Sequence, residues 1–110
     1  MKEEKFKVIQ FIRELILYLD QYLTNFPRKD IEIKNRIRNL SYDILEEAYL
    51  ANIAEEKEEH INHIIAKVKV IDFLLNLCYD KQIINLKRYV KFGEKLDDIV
   101  KYAIGWKKRK

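Results

Sequence analysis

The sequence predicts an all-α protein, an up-down-up-down antiparallel four-helix bundle, on three observations. Two glycines and one proline in 110 residues leave too few chain breakers for an all-β fold, which needs a turn roughly every 8–12 residues. Four segments of about 20–25 residues repeat their apolar positions at steps of three and four, the period of one helix face. The connections between them are short, so successive helices lie side by side and antiparallel. A chain of this length forms one domain, 1–110. With 48% hydrophobic and 36% charged residues it can fill a core and still solvate its surface, which excludes an intrinsically disordered chain.

The first helix is expected over about 3–25, with Val8, Ile9, Ile12, Leu15, Ile16, Leu19, Tyr22, Leu23 and Phe26 on one face. Pro27 ends it, because the residue before a proline avoids helical angles. The second, about 29–54, opens at Asp30 as N-cap and buries Ile33, Ile37, Leu40, Ile44, Leu45, Ala48 and Ala51. Neither Gly nor Pro separates it from the third, about 57–80. The break falls near Asn52–Lys57, because a single helix of about 50 residues is unusual in a small domain. Glu55, Glu56, Glu58 and Glu59 suit a helix start, where the dipole favours carboxylates. Helix three carries Ile61, Ile64, Ile65, Val68, Ile71, Leu74, Leu75 and Cys78. The fourth, about 86–105, is capped by Asn85 and carries Leu86, Tyr89, Val90, Leu96, Ile99, Val100 and Ala103. Gly93 falls inside that face and suggests a close helix–helix approach. Residues 107–110 form a basic tail.

These observations exclude several classes of function. One cysteine rules out a disulfide framework and any multi-cysteine metal site. No uncharged stretch exceeds seven residues, so no membrane-spanning helix of about 20 apolar residues exists. The N-terminus has no cleavable apolar segment, and a cytoplasmic location is expected. No phosphate-cradling glycine loop occurs. The chain has one Ser (Ser41), one Thr (Thr24) and one Cys (Cys78), and Cys78 sits on an apolar face where a thiol is an inert small hydrophobe. No catalytic constellation is complete, so an enzyme is not expected. On a helix Glu56, His60 and His63 share a face, so three ligands could converge, but the Glu-x-x-His pattern of di-iron bundles does not recur. The expectation is a solvated helix start, with no metal and no cofactor.

Charge is unevenly placed. Residues 1–27 are neutral, 28–38 carry +3, 39–60 carry −6 and 61–110 carry +7, within a formal net charge of +4. Lys34, Arg36 and Arg38 crowd the start of helix two. Lys87, Lys91 and Lys95 form a ladder at steps of four on helix four, flanked by Arg88, and Lys107 and Lys108 follow. Such ladders can track phosphates, each cation releasing a condensed counterion. Apolar residues beyond the main stripes (Phe6, Phe11, Leu17 and Tyr18 on helix one; Val70, Phe73 and Leu77 on helix three) suggest either a thick core or an interface.

Phe26-Pro27-Arg28-Lys29, then Arg36-Ile37-Arg38, Ile44-Leu45-Glu46-Glu47-Ala48 and Ala51-Asn52, resemble the Avd family. These are the accessory variability determinants of diversity-generating retroelements and their four-helix-bundle relatives. The second half agrees, through Val70 to Tyr79, Ile83-Ile84-Asn85-Leu86-Lys87-Arg88-Tyr89 and Gly105-Trp106-Lys107. The resemblance implies a homo-oligomeric, five-subunit adaptor that binds a reverse transcriptase and its structured RNA, with DNA the other nucleic acid to consider. Lys34, Arg36, Arg38, Lys87, Arg88, Lys91, Lys95, Lys107 and Lys108 are then the contact residues, expected to touch phosphates rather than read bases. The alternative is a protein–protein interaction scaffold without nucleic-acid binding. The chain departs from the family at Asn76, where an Arg is common, and at Ile104, where a second Gly often precedes Gly105-Trp106. A related bundle family encoded in ribosomal RNA intervening sequences has Asn-Ile-Ala-Glu-Gly where this chain has Asn52-Ile53-Ala54-Glu55-Glu56.

Overall fold

A computed structural model describes residues 2–109, with side chains from Glu4 onward. Four helices follow one another: α1 (Lys2–Tyr22), α2 (Ile31–Ile53), α3 (Glu58–Asp80) and α4 (Leu86–Lys108). A single 3₁₀ turn, Arg28–Asp30, precedes α2. Each helix packs against its sequence neighbour and α4 closes back on α1, whereas the diagonal pairs α1/α3 and α2/α4 make no close backbone approach among the described residues. The result is a square, all-α bundle measuring 44 × 23 × 19 Å. No described helix is long and apolar enough to cross a membrane.

The core is the intersection of the four stripes. Val8, Ile12, Leu15, Leu19 and Leu23 of α1 and its following turn meet Ile37, Leu40, Ile44, Ala48 and Ala51 of α2, and Ile61, Ile64, Val68, Ile71, Leu75 and Cys78 of α3. On α4 the buried face runs Phe92, Leu96, Ile99, Ala103 and Trp106, with Tyr89 half-buried ahead of it. Those steps of three and four define a stripe that leaves out Leu86 and Val90, which are exposed. The expected α4 face was therefore rotated at its N-terminal end, because Leu86 and Val90 mimic the spacing and Phe92 was passed over. Gly93 is corrected with it. One residue, about 100°, round the helix from Phe92, it has open space where a Cβ would stand. The close approach occurs instead at Gly105, where a Cβ would lie 3.2 Å from Glu4 Cγ.

The connections explain the short breaks. Pro27 accepts a hydrogen bond from Asp30 N–H at 3.0 Å, closing the 3₁₀ turn. Asp30 occupies the N-cap position of α2 but its side chain caps nothing; it is buried and paired with Lys81 at 3.3 Å. The end of α3 is a Schellman motif: Ile83 N–H donates to Cys78 O at 2.8 Å and Gln82 N–H to Tyr79 O at 2.9 Å. That geometry demands a left-handed residue, and Gln82 adopts it with φ of 63°. Asn85 caps α4 as expected, its Oδ1 accepting from Arg88 N–H at 2.8 Å. Helix α4 continues past Gly105 and Trp106 to Lys108, with Trp106 in the core, so Lys107 and Lys108 are the last helical turn rather than a free tail. Lys110 lies outside the described residues.

Candidate functional site

Antiparallel packing brings the α1–α2 and α3–α4 connections to one end of the bundle, and the Asp30–Lys81 pair ties the two together. The basic first turns of α2 and of α4 therefore stand at that end, on opposite corners of the square. The other end holds the α2–α3 connection with Glu55, Glu56, Glu58 and Glu59, beside the last turn of α4.

The structure divides the nine expected contact residues into three groups. Lys34, Arg36, Lys87 and Lys108 have no ion-pair or hydrogen-bond partner through their side chains among the described residues, and Arg36 borders a shallow groove with Asn39 and Leu74. Arg38, Arg88, Lys91 and Lys95 are engaged within the molecule. Arg38 donates to Tyr42 Oη at 3.1 Å and lies 3.5 Å from Asp20. The Tyr42 contact holds its guanidinium pKa above the ordinary value, aided by Asp20. Arg88 stacks 3.6 Å from the centroid of Tyr22 and donates to Tyr18 Oη at 2.6 Å. Lys95 lies 5.0 Å from the Tyr18 ring, which meets Phe92 edge-on at 4.9 Å. Lys91 pairs with Glu94 at 3.5 Å. Lys107 forms the third group alone, and with Lys108 it belongs to the opposite end. Its Nζ donates to Asn62 Oδ1 at 2.9 Å beside the acidic connection.

Two cations of the ladder, Lys91 and Lys95, and the flanking Arg88 are thus fitted to α1 or to their own helix. Tyr22, read from sequence as a stripe residue, and Tyr18, read as lying beyond the stripe, together serve as the seat for Arg88. The signal for this was available in Tyr18 and Tyr22 standing one turn apart, but not which helix would face them. Asn76 of α3 donates to Tyr89 Oη of α4 at 3.3 Å. Tyr89 in turn stacks on Tyr79, with centroids 5.6 Å apart.

Sequence reasoning missed the role of Glu47. It lies on α2, faces the start of α3, and is half-buried. Its Oε1 is 2.8 Å from His60 Nδ1 and its Oε2 is 3.3 Å from His63 Nδ1. Burial pushes its carboxyl upward, but the hydrogen bond from His60 and the charge of His63 outweigh that and hold it below the ordinary value. The carboxylate expected near these histidines, Glu56, is not on their face, because α3 begins only at Glu58 and Glu56 lies in the connection.

Ser41 and Cys78 occupy core positions. The Ser41 hydroxyl donates to Arg38 O at 2.6 Å. Cys78 is buried, and desolvation with nearby Asp30 raises its thiol to about 11 despite Lys81. A thiol so protonated is a poor nucleophile. Comparison with family models, with curated proteins and with solved structures finds no match.

Proposed function

We propose that the chain is a non-enzymatic, homo-oligomeric adaptor, pentameric like the accessory variability determinants it resembles, which binds a reverse transcriptase and its RNA through basic faces. The observation that supports this most is the segregation of charge along the bundle. The first two turns of α2 and the first of α4 hold Lys34, Arg36 and Lys87 at one end, where they have no ion-pair or hydrogen-bond partner among the described residues and Glu32 is the one acidic residue of the first α2 turn, while the run of four glutamates around the α2–α3 connection stands at the other. A phosphate backbone meets least competition from carboxylates at the first of these ends. Arg88 and Lys95, seated on tyrosine rings, would add charge in fixed positions; guanidinium–aromatic stacking also suits a site that accepts unstacked bases.

Exposed apolar side chains support the self-association part of the reading. Val70 and Phe73 on α3, and Leu86 and Val90 on α4, are each 42–61% exposed. On an isolated bundle they are wasted apolar surface; in an oligomer they are covered.

The test is binding of a structured RNA of mixed sequence between about 50 and 200 mM salt, with log affinity falling steeply against log salt. The triple reversal Lys87→Glu, Lys91→Glu, Lys95→Glu should weaken binding without unfolding the bundle. Arg36→Glu and Lys87→Glu alone should each reduce the salt slope by about one. Light scattering near five chains supports the pentamer, and a strict monomer at high concentration overturns it. No RNA binding at the lowest salt overturns the adaptor and leaves a protein-only scaffold.

A further inference from the structure

We infer that Glu47, His60 and His63 form a binding site for a divalent transition ion of the zinc class, bridging α2 and α3. The three residues come from two helices, and their donor atoms all lie within 4.8 Å of one another. Zinc bonds of about 2.0–2.1 Å in a tetrahedron require donors about 3.3 Å apart. The two Glu47–histidine separations, 2.8 Å to Oε1 and 3.3 Å to Oε2, lie at or just below that spacing, one on each carboxylate oxygen. An ion taken up there stands between the carboxylate and the two Nδ1 atoms, each of which gives up its proton to bind.

The surroundings carry the inference further. Glu47 is 17% exposed and His60 29%, whereas His63 is 44% exposed, so the site has a protected floor and an open mouth. His63 presents Nδ1 to Glu47 and Nε2 to Glu59, whose carboxylate is 4.0 Å away. At that distance the exposed Glu59 makes no hydrogen bond to the ring; it adds negative charge on the outer side of His63, which favours a cation there. Two imidazoles and one carboxylate favour zinc over calcium or magnesium, which take oxygen donors alone. Three protein ligands leave the fourth position to water. Cys78 lies at the far end of α3, about five helical turns beyond His60, and takes no part. The His60–x–x–His63 spacing was visible in the sequence; the third ligand came from thirteen residues earlier, across the α2–α3 turn.

Calorimetric titration of zinc into the metal-stripped full chain tests this. One ion per chain is expected, with proton release, because the ligands must shed protons to bind. Glu47→Gln, which preserves shape, and His60→Gln/His63→Gln should each weaken binding about tenfold or more, while Cys78→Ser should leave it unchanged. Cobalt in place of zinc should give visible bands of four-coordinate intensity without a thiolate charge-transfer band. If a variant fails to fold, the wild-type chain still decides: zinc should raise its melting temperature near pH 7.5 and lose that effect toward about pH 5.5, where protons compete for imidazole. No binding heat and no melting shift overturns the site. Wild-type affinity in the folded double-histidine variant, or loss on Cys78→Ser, overturns it equally.

Discussion

At one end of the bundle Asp30, in the turn that leads into α2, is buried and meets Lys81 at 3.3 Å; toward the other end Glu47, on α2 itself, is half-buried and meets two imidazoles. Both carboxylates pin α2 to the chain that follows, yet they differ in what their partners can do. The Lys81 ammonium has only donors to offer, and its pair with Asp30 ties the two connections together. An imidazole nitrogen can donate, accept or ligate a metal ion, so the Glu47 cluster can take a ligand that the Asp30 pair cannot. The surrounding charge follows the same division. The Asp30 end carries cations that have no internal partner and are free to meet something outside. The Glu47 end carries carboxylates around a small polar centre. The cations near the start of α2 and the carboxylates near its end are thus separated by much of the length of the bundle.

Phe92→Ala is the largest expected blow to the Asp30 end. Phe92 is fully buried and supports Tyr18, the ring under Lys95. Its loss should lower unfolding free energy by about 3–5 kcal/mol in chemical denaturation. Asp30→Ala comes next. A broken buried pair costs several kcal/mol when a buried charge is stranded, but Lys81 is 42% exposed and can rehydrate, so a loss of about 1–2 kcal/mol is expected.

Glycine chemistry separates the ends in the other direction. Gly93→Ala should stabilise by about 1 kcal/mol, since alanine is the better helix former and its methyl meets nothing. Gly105→Ala, near the acidic end, should gain less, because its methyl would press Glu4 Cγ at 3.2 Å. Gln82→Gly should stabilise by about 1 kcal/mol by relieving a left-handed non-glycine residue.

The smallest effect is the most diagnostic of the Glu47 end. A carboxyl held below its ordinary value contributes stability above that value and loses it as pH falls through the depressed one. Glu47→Gln should therefore be less stable than wild type near neutrality in the presence of a chelator. The gap should close as pH drops below 4.5. A gap that persists unchanged into acid would mean that the histidines do not hold the carboxylate.

The architecture was legible because period, breaker count and connection length all pointed the same way, and the cores of α1, α2 and α3 follow from their stripes. The start of α4 was not legible, since Tyr89 belongs equally to the stripe of Leu86 and to that of Phe92, and only packing against α1 chooses between them. The place of the α3–α4 turn was legible from the end of one stripe and the Asn85 cap; its left-handed geometry was not, because Gln82 fills a position that a sequence normally marks with glycine. Charge clustering was visible, but which cations are engaged depends on Tyr18 and Tyr22 reaching across from α1. Glu47 was invisible as a histidine partner because nothing in a single helix period says what the facing helix presents.

Cys78 gives the bundle a built-in stopwatch. A thiol with no exposed surface, raised to about 11 by burial, is silent to an alkylating reagent while the four helices stay together. Labelling then proceeds only through molecules that have transiently opened, and its rate counts them. Because Cys78 also caps the turn through its carbonyl, the same residue reports the opening of the α3–α4 connection, the place where the basic end is joined.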